Sequence, residues 1–111
     1  MELKVYSGKL GKGFVLCYGH GKAIYCESIG DYCSVYQVVT IGRGKMNADG
    51  RAVPVICNHV NIFANAFIIG GINIENNVDI GAGAVVTHDV PDNCVVARVP
   101  ARIIKREPSL T

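Results

Sequence analysis

The sequence is short of the features that usually announce a function. Its five cysteines, Cys17, Cys26, Cys33, Cys57 and Cys94, are odd in number and form no CxxC pair. That argues against a disulfide framework and a zinc knuckle, and leaves reduced thiols that mostly pack. No apolar run approaches the ~20 residues of a membrane span, and Met1-Glu2-Leu3-Lys4 opens no signal peptide, so a soluble, cytoplasmic protein is expected. A formal net charge of +2, with no long basic block, gives no footprint for nucleic acid. Positive charge concentrates locally in Arg98, Arg102, Lys105 and Arg106, which read either as a solvated tail or as phosphate donors. Missing too are the three- and four-residue spacing of an amphipathic helix and the alternation of a long two-sided strand.

What the sequence does have is a period of six. Ile56, Ile62, Ile68, Ile74, Ile80 and Val86 recur without a miss. Ile and Val make up 27 of the 111 residues, so such a run arises by chance in roughly one case in a few thousand for a given phase. Four residues after each anchor stand Val60, Ala66, Ile72, Val78, Ala84 and Val90, all apolar and several small, as inward sites beside tight corners require. The remaining positions collect Asn58, Asn61, Asn65, Asn73, Asn76, Asn77, Asp79, Gly81 and Gly83. These residue types tolerate left-handed backbone and turn chemistry. Three hexapeptides close a triangular coil of eighteen residues, which puts Ile56 under Ile74, Ile62 under Ile80 and Ile68 under Val86, with ~4.8 Å between coils. The expected fold is all-β, a parallel β-helix with a continuous core.

A chain of 111 residues reads as one domain, 1–111. Leu10-Gly11 and Leu16 look like a poorly patterned start of the coil, and the frame breaks through Cys17-Tyr18-Gly19-His20-Gly21-Lys22. It resumes at Ile29, Val35 and Ile41. Between Ile41 and Ile56 lie fourteen residues where a coil allows five, so about nine leave the helix within a Gly-rich loop over 42–54, a length more often functional than incidental. A closing segment over 91–106 supplies a strand or two, and Glu107 to Thr111 read as a frayed tail.

Ile29-Gly30-Asp31, Val39-Thr40-Ile41-Gly42, the loop, Pro54-Val55-Ile56, Ile80-Gly81-Ala82-Gly83-Ala84-Val85-Val86, Asp89-Val90-Pro91 and Val99-Pro100-Ala101-Arg102 together resemble the hexapeptide-repeat acyltransferases. The branch they are most similar to is the serine acetyltransferase-like one, which includes capsule and exopolysaccharide O-acetyltransferases. The resemblance covers about Leu10 to Arg106. It implies a left-handed coil, a homotrimer, and acetyl-CoA lying between neighbouring subunits, with no metal. It also implies that the family's N-terminal helical domain is absent here.

Acetyl transfer from a thioester to a hydroxyl needs a base and donors for the oxyanion. Gly19-His20-Gly21 is similar to the family's motif bearing the catalytic histidine, which makes His20 the expected base. No carboxylate aligns upstream in Lys4-Val5-Tyr6-Ser7-Gly8 to orient it, and Glu27 or a backbone carbonyl is the substitute. For CoA the resemblance points to backbone at Gly42, Gly44, Ala64 and Ala82, and to Arg102 and Lys105 for the nucleotide phosphates. Val53 stands before Pro54 where serine acetyltransferases carry a histidine, which moves the expected acceptor towards a sugar hydroxyl; Arg98 stands where the family usually has glycine. Two rivals remain. One is a zinc enzyme of the γ-carbonic anhydrase kind, against which the unmatched phases of His20, His59 and His88 argue. The other is a degenerate, scaffold-like or binding paralogue that has kept the fold and lost the chemistry.

Overall fold

In a computed structural model, residues 4–13, 15–16 and 23–106 are described. His20, the frame break around it and the tail from Glu107 lie outside the described residues. Thirteen strands follow one another with no helix among the described residues. They are β1 (Lys4–Leu10), β2 (Val15–Leu16), β3 (Ala23–Ile29), β4 (Ser34–Val35), β5 (Thr40–Gly42), β6 (Val55–Ile56) and β7 (Asn61–Ile62). Then come β8 (Phe67–Ile69), β9 (Asn73–Ile74), β10 (Asp79–Ile80), β11 (Val85–Val86), β12 (Cys94–Ala97) and β13 (Arg102–Arg106).

Most strands are two or three residues long because each hexapeptide spends the rest of its length on a corner. Their partners come from the next coil, and every pairing but the last is parallel. One wall runs β2, β4, β7, β10, β12 and β13. A second runs from the start of β3 through β5, β8 and β11, and a third from the end of β3 through β6 and β9, which Val90 extends by one bridge. β3 serves two walls because it is seven residues long; Ile24 pairs with Ile41, while Ser28 and Ile29 pair with Val55 and Ile56.

The register is the one that the period dictates. Ile56 pairs with Ile74, Ile62 with Ile80 and Ile68 with Val86, each 18 residues on. Across the loop the step is 27, as in Val35 with Ile62 and Ile41 with Ile68, nine more than a plain coil. All six anchors are at most 1 % exposed, and Val60, Ala66, Val78 and Ala84 are fully buried beside them. Burying each Ile side chain stabilises the stack by about 1.5–3 kcal/mol.

The corners explain the Asn and Asp positions. Asn65, Asn77 and Asn93 adopt positive φ of 58–65°, as do Tyr32, Val38 and His59 at equivalent places; Asn bears this conformation at less cost than Val or Tyr. Asp31, Asn58, Asn76 and Asp92 form a ladder along one corner. The backbone N–H of Lys12 donates to Asp31 Oδ1 at 3.0 Å, that of Asp31 to Asn58 Oδ1 at 2.7 Å, that of Asn58 to Asn76 Oδ1 at 2.8 Å, and that of Asn76 to Asp92 Oδ1 at 2.8 Å. Each side chain thus satisfies a backbone donor one coil away, not in its own turn. The antiparallel β13 closes the last wall, and Arg98 and Ala101 bracket Val85 through its N–H and carbonyl.

Candidate functional site

The loop is bound down on the coil. Asn47 Oδ1 accepts from the N–H of Asp49 at 2.9 Å and of Arg51 at 3.0 Å, while its Nδ2 donates to Gly71 O at 3.1 Å. Arg51 Nε donates to Val53 O at 2.9 Å, and its terminal nitrogen donates to Ile72 O at 3.3 Å and Asn73 Oδ1 at 2.6 Å. A charged donor with three acceptors of this kind is a strong fastening. The corner beneath has to be bare for the loop to come so close. A Cβ on Gly71 would overlap Arg51 O, and one on Gly44 would overlap Ile69 and Gly70.

That fastening defines where two expected CoA contacts sit. Gly42 is buried at the end of β5, and its carbonyl accepts from Gly70 N–H at 3.0 Å. Gly44 N–H donates to Ala52 O at 2.9 Å. The Gly42 carbonyl is thus committed to the next coil and the Gly44 N–H to the far limb of the loop. Glu27, whose side chain is exposed, ties β3 to the end of the loop through its N–H to Pro54 O at 2.8 Å.

Ala64 and Ala82 occupy another corner, one above the other, each preceding a residue of positive φ, Asn65 and Gly83. Ala82 is exposed, Ala64 is half-buried, and Ala64 O accepts from Gly83 N–H at 3.0 Å. With no side chain beyond Cβ, this line offers a ligand close access to backbone. It stands at the start of the β5/β8/β11 wall, whereas Gly42 and Gly44 stand at its end. Ile69 pairs with Gly42, five residues and a corner beyond Ala64, so the two sets stand at opposite ends of the wall. Arg102 and Lys105 are exposed on β13, at the far end of the stack. A single chain thus brings Ala64 to Ala82 and Gly42 to Gly44, but does not gather all six.

A cavity of about 60 Å³ lies between β11 and the closing strands, lined by Val86, Thr87, His88, Val96, Ala101 and Ile103 among others. It has room for a few water molecules. Thr87 Oγ1 and His88 Nδ1 are 3.1 Å apart at its exposed rim. Among the described residues no three His, Cys, Asp or Glu side chains converge as metal ligands would. Burial pushes the thiols of Cys33 and Cys57 above their ordinary pKa, with Asp31 adding to the first and Glu75 and Asp92 to the second. Cys33 is buried and its Sγ donates to Cys57 O at 3.0 Å, so its thiol is a packing group.

Sequence reasoning singled out neither Asn47, Arg51 nor Gly71. The signals were a doubled glycine, Gly70-Gly71, where the neighbouring corners carry one or none, and a second Arg, after Arg43, on the returning limb of the Gly-rich loop.

No family model matches the chain. It is 43% identical over 99 residues to a serine acetyltransferase of Synechococcus elongatus, covering 88% of this chain and 40% of that protein. To a serine acetyltransferase of Staphylococcus epidermidis it is 39% identical over 108 residues, covering 95% and 50%. Three solved structures extend the likeness. The Neisseria gonorrhoeae serine acetyltransferase in complex with serine matches with TM-score 0.78 and 37% identity over 87% of this chain and 39% of that one. A hexapeptide-repeat serine O-acetyltransferase of Brucella melitensis gives 0.77 and 35% over 90% and 39%. A serine acetyltransferase complexed with CoA gives 0.62 and 30% over 92% and 39%. The chain spans between two fifths and half the length of these relatives. The shared coil is the left-handed parallel β-helix of such hexapeptide-repeat proteins.

Proposed function

Because the chain belongs to the hexapeptide-repeat, serine acetyltransferase-like family, we propose that it is an O-acetyltransferase moving the acetyl group of acetyl-CoA to a hydroxyl of a small molecule or sugar. The observation that carries this reading is the 39% identity to a serine acetyltransferase over 95% of the chain, on the same coil. In this reading His20 accepts the proton of the acceptor hydroxyl as its oxygen attacks the thioester carbonyl. The tetrahedral oxyanion then collapses, the C–S bond breaks, and the imidazolium returns its proton to the departing CoA sulfur. No metal is needed at any step.

The exposed backbone along Ala64 and Ala82 suits an extended pantetheine, which takes hydrogen bonds along a strand edge. Arg102 and Lys105 are of the right chemistry for the nucleotide phosphates. The placement of the alanine corner and of Gly42 and Gly44 at opposite ends of one wall supports a groove completed by a second copy, and the resemblance to the family makes that assembly a homotrimer with sites between subunits. Val53 in front of Pro54 favours a sugar hydroxyl over serine as the acceptor.

The test is thiol release from acetyl-CoA by the purified protein, with serine and a panel of sugars as acceptors. Turnover with one acceptor, reduced ~10²-fold or more in His20→Ala while sedimentation still reports a trimer, is the expected result. Unchanged turnover in that variant removes His20 from the role. Saturable CoA binding without turnover favours the scaffold-like reading, and absence of both overturns the transferase.

A further inference from the structure

On the outer face of the wall built from β4, β7 and β10, the repeat is broken by aromatic residues. Tyr36 and Phe63 stand one coil apart with ring centroids 4.8 Å apart and planes inclined by 36°. In the next coil the equivalent of Phe63 is Gly81, and after that comes Ala97. Phe63 N–H donates to Ile80 O at 2.9 Å and Gly81 N–H to Val96 O at 2.7 Å, so the three strands stay paired at this point. Beyond Phe63 the aromatic column therefore stops at a notch with a glycine floor. Ala97 closes its far side; a Cβ on Gly81 would lie 3.2 Å from Ala97 Cβ.

Two residues back along the same strands, and so on the same face, stand Asn61 and Asp79, both half-buried. Asn61 Nδ2 donates to Asp79 Oδ1 at 3.0 Å. The amide has a second N–H to give and the carboxylate a second oxygen to receive. Asn61, Phe63, Asp79 and Gly81 mark a patch of ~6.7 Å along the strands by ~4.8 Å across them, the scale of one pyranose ring. A ring face, a paired donor and acceptor, and a floor without a side chain beside them match the C–H face and vicinal hydroxyls of a sugar.

The geometry points to a binding site for a neutral saccharide residue in the Gly81 notch, with Phe63 as the stacking wall and Asn61 and Asp79 as the hydroxyl partners. The Asp79 carboxylate disfavours an acidic sugar. The site adjoins the Ala64 and Ala82 corner, and titration without acetyl-CoA separates it from the acetyl-transfer reading.

Calorimetric titration of the full chain with maltotetraose, cellotetraose and chitotetraose, without acetyl-CoA, tests it. At least one is expected to bind with a millimolar or better Kd, weakened about fivefold to tenfold in Phe63→Ala. The amide signals of Gly81 and Ala97 should shift on titration, and Asp79→Ala should also weaken binding. Circular dichroism melts of the variants verify that the coil is intact. No binding of any of the three at ~10 mM, or binding that Phe63→Ala leaves unchanged, overturns the proposal. So does a wild-type protein that binds none of them but changes its oligomeric state in Phe63→Ala, because the face is then an interface between copies.

Discussion

Gly71→Ala probes the link between the coil and the loop. The added methyl has nowhere to go, because Arg51 O occupies the space and Asn47 lies 3.2 Å from it. Backbone cannot swing aside as a long side chain can, so the loop has to lift. Lifting breaks the Gly71 N–H bond to Lys45 O, the Asn47 Nδ2 bond to Gly71 O and the Arg51 bonds to Ile72 O and Asn73 Oδ1. At a net ~1 kcal/mol each these bonds come to ~4 kcal/mol. The loop regains backbone entropy when it is released, which leaves a net loss of ~1–3 kcal/mol, the range of a local overpacking. The coil itself keeps its pairing. Hydrogen exchange should therefore show the amides of Gly44, Gly71 and Asn47 losing protection in Gly71→Ala while those of Phe63 and Gly81 keep theirs. Equal protection of the loop amides in both proteins would refute the fastening.

Four further outcomes are expected. Ile68→Asp places an unpaired carboxylate at a site with no exposure between Ile41 and Val86, and far-UV dichroism should report an unfolded chain; a soluble folded variant would count against the register. Thr40 Oγ1 is buried without a partner among the described residues, so Thr40→Val should raise stability by ~1 kcal/mol in urea titration. Asn76→Ala removes the acceptor of the exposed Asn58 N–H in the corner ladder, leaving it to water, and should cost ~0.5–1 kcal/mol by the same measurement. Burial raises the pKa of Cys33 and Cys57 above the ordinary thiol value. Their contribution to stability is therefore fully present below that ordinary value and is lost as pH rises through the raised, folded-state ones. A melting midpoint that climbs over that alkaline interval in the wild type relative to a Cys33→Ala, Cys57→Ala variant would contradict it.

The coil was legible because its rule is local. Ile62 has to point inward for the same reason as Ile56 and Ile68, and counting in sixes yields both the partner and the length of the insertion. The long β3 was not, since the Tyr25-to-Ser28 stretch contains no hexapeptide anchor and its double pairing depends on strands that arrive 17 and 27 residues later. The loop's fastening escaped for a similar reason. Arg51 meets Ile72 and Asn73 only after a whole coil has been wound, and nothing near Arg51 in sequence marks them. Asn58 and Asn76 were read as turn formers, and the turn is real, but their side-chain oxygens serve the coil before them. As for the site, composition alone offered a histidine between glycines and some small corner residues. Within the proposed homotrimer, which of these face one groove would depend on how copies assemble, and hexapeptide spacing within one chain does not encode that. The aromatic break at Phe63 was visible as a departure from Ile80-Gly81-Ala82, yet it gains meaning only beside Asn61 and Asp79.

The corner ladder also makes the molecule a ruler. Each rung joins a side chain to the coil behind it, so the stack lengthens one coil at a time, each coil moving its two ends ~4.8 Å apart whether the rung bridges 16, 18, 19 or 27 residues. Differences of one or two residues are absorbed within a coil, while the nine extra residues between β5 and β6 are expelled sideways. Variation in such a chain is thereby sorted by size. Whole-coil changes would reset the reach from one end of the stack to the other, while smaller ones would reshape a single corner and leave every other rung where it was.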